Sequence, residues 1–272
     1  LAYVVLIILS FLCLFFFYVL LVNATRNHFQ IQKGFSFVPG KSLVRNLKAV
    51  LNDANIPVLS GIKNSLIVSV CTAALSTYFS AMTAYGLYAY DFKLRKPAFL
   101  FILLILVMPT QVSALGFVNL ITKMDLMDSL VPLFLPSIAA PAVFYFMYSY
   151  MQSSLPLELI EAARIDGSGE FHTFNKIVIP IMKPAMAVQA IFAFVQAWNN
   201  YFLPLIMLKD SNWYPLTIGL NQWKDQASTA GGQAIQNLVV TGSLITIVPL
   251  VIAFLCLQKY WQSGLAAGAV KE

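Results

Sequence analysis

Long uninterrupted hydrophobic runs alternate with short polar segments along the chain. A helix needs about 20 apolar residues to cross roughly 30 Å of hydrocarbon. Six runs reach that length, and we predict membrane-spanning helices at 1–22, 64–90, 98–121, 131–150, 184–208 and 237–258. The runs show no alternation, and backbone groups in lipid must pair within the segment, so helices are favoured over the strands of a barrel.

The first run is predicted to remain in the membrane as an anchor. It lacks the basic n-region and the small-residue cleavage site of a signal peptide, and it is longer than a typical signal core. Because the chain starts at Leu1 and not at Met, we expect a short cytosolic leader to precede it.

Composition supports an all-α membrane protein. Of the 272 residues, 59% are hydrophobic and 10% charged, against about 45–50% and about 25% in an average soluble domain. This excludes an ordinary cytosolic enzyme. The net charge of +6 would suggest nucleic acid in a soluble protein, but the Lys and Arg residues are scattered between uncharged stretches, as in membrane loops. We therefore predict no nucleic-acid partner.

The six runs hold no charged group in their cores: Asp, Glu, Lys, Arg and His are absent there. Ion-coupled carriers and intramembrane enzymes usually place ionisable groups at that depth. His28 and His172 lie outside the runs without a catalytic constellation, and the cysteines lack metal-ligand spacing. The chain also lacks a GxxxxGK[ST] phosphate loop. We predict a chain with no catalytic or metal site, whose energy for any active transport comes from a partner.

Basic residues do not decide the sidedness of the whole chain, because nine against eight fall on the two alternating sides. The compact cluster in residues 91–96, with Lys93, Arg95 and Lys96, does indicate a cytosolic turn.

A long polar loop, residues 153–183, lies on the same predicted side and is called the motif loop below. Pro156 suits the first position of a short helix, and Gly167 suits the left-handed residue that ends it. Ser168 is then predicted to cap a second helix that stops before Pro180. The first helix places Leu157, Ile160, Glu161 and Arg164 on one stripe. From these residues alone, it either rests on lipid headgroups or docks on a partner.

Fixed spacings in the motif loop carry a family resemblance. Glu161-Ala162-Ala163, Gly167, Ile177 and Pro180 match the pattern EAA-x3-G-x9-I-x-L-P, with Ile179 in place of Leu. This resembles the cytoplasmic loop of permease subunits in ATP-binding-cassette (ABC) importers.

The resemblance extends over the chain and is closest to the maltose-type, carbohydrate-importing branch. The ending from Gln258 to Glu272 is similar to the tail of the second permease subunit of such transporters, and the segments 64–66 and 197–200 are also typical. Asn200 is a departure, since an acidic residue follows Trp-Asn in many relatives.

The resemblance implies the type I ABC importer permease fold: one domain over 1–272, with six transmembrane helices and a cytoplasmic EAA coupling loop. It also implies a multi-pass protein of a bacterial or archaeal cytoplasmic membrane. Both termini and the tail 259–272 would be cytosolic, and the loops 23–63, 122–130 and 209–236 extracellular.

The function implied is that of the permease subunit of an ATP-driven sugar importer, forming half of the path for a di- or oligosaccharide. The expected partners are a second homologous permease, two copies of a cytosolic ATPase that bind ATP and Mg, an extracellular sugar-binding protein, the sugar and membrane lipid. No cofactor is expected in this chain. The alternatives are an ABC permease for a non-sugar solute and an ATP-independent secondary carrier.

The site residues form four groups; the resemblance implies three of them, and residue chemistry indicates the substrate path. The expected ATPase-docking residues are Glu161, Ala162, Ala163, Arg164, Asp166, Gly167 and Ser168. The expected ATPase contacts in the tail are Gly264, Gly268 and Lys271. The substrate path is predicted at Asn119, Trp198, Asn199 and Asn200, because amide and aromatic groups bind neutral sugars without charge. The binding-protein contact is predicted at Trp213, Tyr214 and Trp223.

Overall fold

The computed structural model describes residues 2–229 and 234–269. That part of the chain is 79% helical and contains no strand. Its α-helices are α1 Ala2–Ala24, α2 His28–Gln32, α3 Leu43–Leu51, α4 Val58–Ala89, α5 Arg95–Val107, α6 Thr110–Lys123, α7 Val131–Phe134, α8 Pro141–Ser154, α9 Leu157–Ile165, α10 Glu170–Thr173, α11 Ile179–Trp198, α12 Phe202–Met207, α13 Leu216–Ser228 and α14 Gln236–Ala269. Short 3-10 helices cover Leu135–Ile138 and Ser211–Trp213, and a π-helix covers Phe174–Val178.

Among the described residues, five helical segments are long and apolar enough to cross a membrane. They are Ala2–Ala24, Val58–Ala89, Val131–Ser154, Glu170–Trp198 and Gln236–Cys256. A sixth results if α5 and α6 are counted as one broken span. The protein is therefore a helical, multi-pass membrane protein.

The third predicted span, 98–121, is not one straight helix. Its two halves, Arg95–Val107 and Gln111–Lys123, are bent by 102°. Met108 is extended and Pro109 precedes α6; a proline pushes the residue before it out of the helical region. Each half is about 20 Å long, so neither crosses the hydrocarbon by itself.

The fifth predicted span, 184–208, is displaced toward the N-terminus. A continuous helical segment runs over Glu170–Trp198 and ends before the separate α12. Pro180 and Pro184 do not stop it, contrary to the prediction that a short helix ends before Pro180. The preceding π-helix contains a wider i→i+5 hydrogen bond, from Ile179 N–H to the Phe174 carbonyl. We attribute the tolerance of Pro180 to this wider turn, because a proline ring clashes with the preceding turn of a regular helix.

The described chain divides into two compact units, the first made of residues 1–64 and 209–251. Its buried polar centre is Asn46 on α3, whose amide donates to the carbonyls of Ala24 and Arg26 at 2.9 and 2.8 Å. The Asn46 carbonyl oxygen accepts from Asn237 at 2.9 Å. These bonds fix α3 against the end of α1 and the start of α14.

The second unit comprises residues 65–208 and 252–272. Its core is formed by large apolar side chains from α4, α8, α9, the π-helix and α11. The largest fully buried members are Met147, Met151, Ile160, Phe174 and Met182. Ala81 and Ala84 on α4 are fully buried among them. The motif loop is thus packed into the same core as the helices on either side of it.

Candidate docking loop and cavity

The first helix of the motif loop ends in a left-handed glycine, as the sequence predicts. Gly167 has φ +76°. The Gly167 N–H donates to the Arg164 carbonyl at 3.0 Å, and the Ser168 N–H donates to the Ala163 carbonyl at 2.9 Å. This is the Schellman arrangement, which satisfies carbonyls that the end of a helix leaves open. The chain therefore reverses sharply between α9 and α10.

Two local predictions in the motif loop are wrong by one residue. Pro156 is the N-cap of α9 and not its first helical residue, and Gly169, not Ser168, precedes α10. The Ser168 hydroxyl pairs with the Thr173 hydroxyl at 2.9 Å instead of capping a backbone N–H. The loop is therefore closed by a bond between side chains.

The predicted stripe on α9 is split between core and solvent. Ile160 is buried with Ala163, whereas Glu161 and Ala162 are exposed. The exposed surface also carries Ile165, which is 86% exposed, and beyond the turn, Phe171, which is 70% exposed. Neither residue belongs to the predicted docking set. In the sequence, the feature that could have indicated them is a large apolar residue on each side of Gly167.

Arg164 is turned toward the protein. Its Nε donates to Glu170 Oε1 at 2.8 Å, and its guanidinium lies 4.9 Å from the ring centre of Tyr90. The other Glu170 oxygen accepts from the Tyr85 hydroxyl at 2.8 Å. The hydrogen bond to Glu170 raises the pKa of Arg164 further above its ordinary value. Arg164 therefore holds α9 and α10 together, and its guanidinium is engaged within this chain.

Further tyrosines of α4 hold the motif loop. The Tyr88 hydroxyl donates to the Leu155 carbonyl at 2.7 Å. The Tyr78 hydroxyl donates to Asn175 Oδ1 at 3.2 Å, and the Asn175 amide donates to the Phe171 carbonyl at 2.8 Å. Tyr78, Tyr85 and Tyr88 share one face of a helix by their spacing, which the sequence could have shown. The motif loop is thus attached to α4 by side chains and to α11 by the backbone.

An open cavity of about 450 Å³ lies in the same unit, at the far end of α11. Its polar lining comes from Gln111, Gln196, Asn199, Asn200 and Tyr201, with Thr72 on α4. No charged residue lines it among those described. An uncharged lining of amides and an aromatic ring suits a neutral ligand rich in hydroxyl groups.

The predicted substrate-path residues divide at this cavity. Asn199 and Asn200 line it, whereas Asn119 is exposed on α6 outside it. Trp198 is buried and stacks on Phe194 with ring centres 5.9 Å apart. Because the helix ends at Trp198, the following asparagines reach the cavity while the tryptophan packs in the core.

The predicted binding-protein contacts also separate. Trp223 is buried and its indole N–H donates to Asp53 Oδ2 at 3.1 Å, so its ring is not available at the surface and its predicted role is wrong. Trp213 is 43% exposed, and Tyr214 is half-buried. Asn64, part of the family-like segment 64–66, donates to the carbonyls of Asn212 and Tyr214 at 2.7 and 3.3 Å.

The structure describes two of the three predicted tail residues. Gly264 and Gly268 belong to α14, which extends the predicted span 237–258 to Ala269, and Lys271 lies outside the described residues.

The sequence of the chain is similar to a known protein family and to several transport permeases. Residues 76–266 match the family described as binding-protein-dependent transport system inner membrane component. The arabinooligosaccharides transport system permease protein AraQ of Halalkalibacterium halodurans is 34% identical over 208 residues, covering 76% of this chain and 72% of AraQ. The sn-glycerol-3-phosphate transport system permease protein UgpE of Yersinia pestis is 30% identical over 269 residues, covering 97% and 94%. The melibiose/raffinose/stachyose import permease protein MelC of Bacillus subtilis is 29% identical, covering 76% and 74%.

The fold is shared with a solved structure. A chain from the crystal structure of a bacterial ABC transporter involved in the import of the acidic polysaccharide alginate superposes with a TM-score of 0.78 at 20% identity, covering 96% of this chain and 95% of that one. The family match includes the motif loop, the tyrosines that hold it and the cavity-lining residues from Gln111 to Leu203. The chain belongs to the family of binding-protein-dependent transport system inner membrane components.

Proposed function

We propose that this chain is the permease subunit of an ATP-driven sugar importer and forms half of the path for a di- or oligosaccharide. The proposal takes 1–272 as one permease domain that works with a second homologous permease, two ATPase copies carrying ATP and Mg, and an extracellular sugar-binding protein. The motif loop and both termini then face the cytosol. Relatives named for arabinooligosaccharide and for melibiose, raffinose and stachyose import support a sugar as the solute.

The observation that carries the proposal is the unbroken helix between the motif loop and the cavity. The segment Glu170–Trp198 has 29 residues, so it is about 43 Å long. It begins at the motif loop and ends directly before Asn199 and Asn200, which line the cavity. A helix transmits displacement along its axis, so a push on the loop would move the cavity lining.

The helix α4 is a second connection between the motif loop and the cavity. Tyr85 and Tyr88 bond to the motif loop, and Thr72 of the same helix lines the cavity. A closing ATPase pair that bound the exposed surface around Ile165 would therefore act on two walls of the cavity at once. Such coupling is a shift between two conformations, driven by contacts that differ between them.

A phosphorylated solute is the second candidate, because UgpE is similar over nearly the whole chain. The cavity argues for the sugar. A phosphate is held best by Arg, Lys or backbone N–H groups, and no cation lines the cavity among the described residues.

Purification of the assembled transporter from membranes tests the proposal. We expect a second permease, an ATPase and a binding protein to accompany this chain, and ATP hydrolysis to rise when a neutral oligosaccharide is added. Stimulation by sn-glycerol 3-phosphate alone would favour the second candidate. A chain that elutes alone and moves sugar into liposomes without ATP would refute the proposal.

Replacing Gln196 by Leu is expected to lower sugar uptake about fivefold. The Gln196 amide lines the cavity and has no hydrogen-bond partner among the described residues, and a lost bond to a sugar hydroxyl costs about 1 kcal/mol. Asn119→Leu is the matched control, because it removes an exposed amide outside the cavity. Uptake of labelled sugar should remain within about twofold of wild type in the control; equal loss in both variants would place the path elsewhere.

Replacing Gly167 by Val is expected to reduce uptake by about five- to thirtyfold without preventing membrane insertion. A Cβ at Gly167 meets no atom within 4 Å, so only its backbone angle opposes a side chain. A left-handed residue other than glycine costs about 1–2 kcal/mol, and a β-branched one is least tolerated there. Gly167→Asn is the control, since Asn accepts this conformation and should retain most uptake. Full uptake with Val would show that the sharp turn is dispensable.

A further inference from the structure

A second open cavity, of about 660 Å³, lies at the turn between α4 and α5. Three cationic side chains line it, Lys93, Arg95 and Lys96, against one carboxylate, Asp91. The transport path does not use it, since the polar residues described above line a different cavity.

The three cations have no anionic partner within the described chain. Asp91 is the one carboxylate among the residues that line this cavity, so the turn carries an excess of positive charge. Arg95 and Lys96 also occupy the first turn of α5. Positive side chains are unfavourable at that end of a helix, whose free N–H groups favour an anion. The local charge therefore favours a bound anion.

Apolar surface continues from the cations along α5. Phe99 and Tyr148 line the cavity with ring centres 4.9 Å apart, and Leu100 beside them is 58% exposed. One turn farther along, Leu104 is 69% exposed. Leu100 and Leu104 share a face of α5 by their i, i+4 spacing. The three cations thus lie at one end of an exposed apolar surface formed by Leu100 and Leu104, called the track below.

We propose that this cavity binds an anionic phospholipid, with its phosphate among Lys93, Arg95 and Lys96 and an acyl chain along Leu100 and Leu104. A free phosphate would use the cations but not the track, whereas a zwitterionic lipid would use the track but gain little from the cations. Basic pockets on the cytoplasmic side of membrane helices bind such headgroups. The site is separate from the proposed sugar path, and it does not depend on which solute is carried.

Native mass spectrometry of the delipidated, assembled transporter tests the site. The probes are phosphatidylglycerol and phosphatidylcholine with identical acyl chains. We expect phosphatidylglycerol to bind at least about tenfold more tightly, and Arg95→Gln with Lys96→Gln to weaken it about thirtyfold. Lys176→Gln with Lys183→Gln is the matched control: it removes equal charge from the same predicted side of the membrane and should change binding less than about threefold.

The remaining variants separate the possible outcomes. Asp91→Asn should strengthen phosphatidylglycerol binding about threefold, which a misfolded chain would not show. Excess sn-glycerol 3-phosphate should displace little lipid; full displacement would identify a free-phosphate site and overturn the lipid proposal. Equal affinity for the two lipids, or equal loss in the variant and control pairs, would reduce the effect to general surface charge and overturn it as well.

Discussion

Exchange of Ile165 for Asp is expected to abolish ATP-driven uptake and to release the ATPase from the solubilised transporter. Ile165 is 86% exposed beside the glycine turn, so its replacement removes almost no internal packing. Burial of this side chain in a partner would contribute about 1.5–3 kcal/mol, and a carboxylate there must also lose its hydration. The affinity for the ATPase should fall more than about a hundredfold.

Two measurements separate lost docking from lost folding. The Ile165→Asp chain should still insert in the membrane and still co-purify with the second permease, while the ATPase is lost. Ile165→Val keeps the apolar surface and should retain both the ATPase and uptake. A full complement of ATPase on the Asp variant would show that this exposed surface is not the docking site.

The helical architecture followed from the sequence because long apolar runs leave few alternatives in lipid. Helix ends were harder to place when the deciding residue lay outside the run. Pro180 and Pro184 predicted a start for the fifth span near 184, whereas the π-helix at Phe174–Val178 lets the helix begin at Glu170. A π-helix has no sequence signal as strong as a proline. The two prolines therefore predict the wrong start for this helix.

The motif loop was located by its spacing, but the orientation of its side chains was not. Glu161 and Arg164 share the predicted stripe, yet Glu161 is exposed while Arg164 bonds to Glu170. The decisive partners, Tyr85 and Tyr90, lie more than 70 residues earlier in the chain. Trp223 was misplaced for the same reason, since its partner Asp53 is 170 residues away.

For the cavity, residue type alone does not tell which of the predicted asparagines line it. Residue type alone predicts asparagines in the substrate path, and Asn199 and Asn200 do line the cavity while Asn119 does not. The difference depends on where α11 ends and on the bend between α5 and α6. Pro109 and the packing of the helices determine these two features of the backbone. Residue type therefore indicates which side chains could bind a sugar, and the backbone determines which of them reach the cavity.

Reversing the charge of Glu170 is expected to reduce uptake to background while the ATPase stays bound. In Glu170→Lys the Arg164 guanidinium faces a second cation and the Tyr85 hydroxyl loses its acceptor. Attraction between unit charges 2.8 Å apart ranges from about 1.5 kcal/mol in water to about 6 kcal/mol near a protein surface. Arg164 and Glu170 are partly exposed, which screens the pair and places the effect toward the lower part of that range.

The exchanged pair, Arg164→Glu with Glu170→Lys, distinguishes anchoring from docking. It restores the attraction between α9 and α10 but not the Tyr85 bond or the contact of Arg164 with the Tyr90 ring. We therefore expect partial recovery of uptake, measured as sugar imported per ATP hydrolysed. If Arg164 instead contacted the ATPase directly, the exchanged pair would be no better than Glu170→Lys. Recovery in the pair would show that the motif loop must be fixed to α4 for ATP hydrolysis to move the helices.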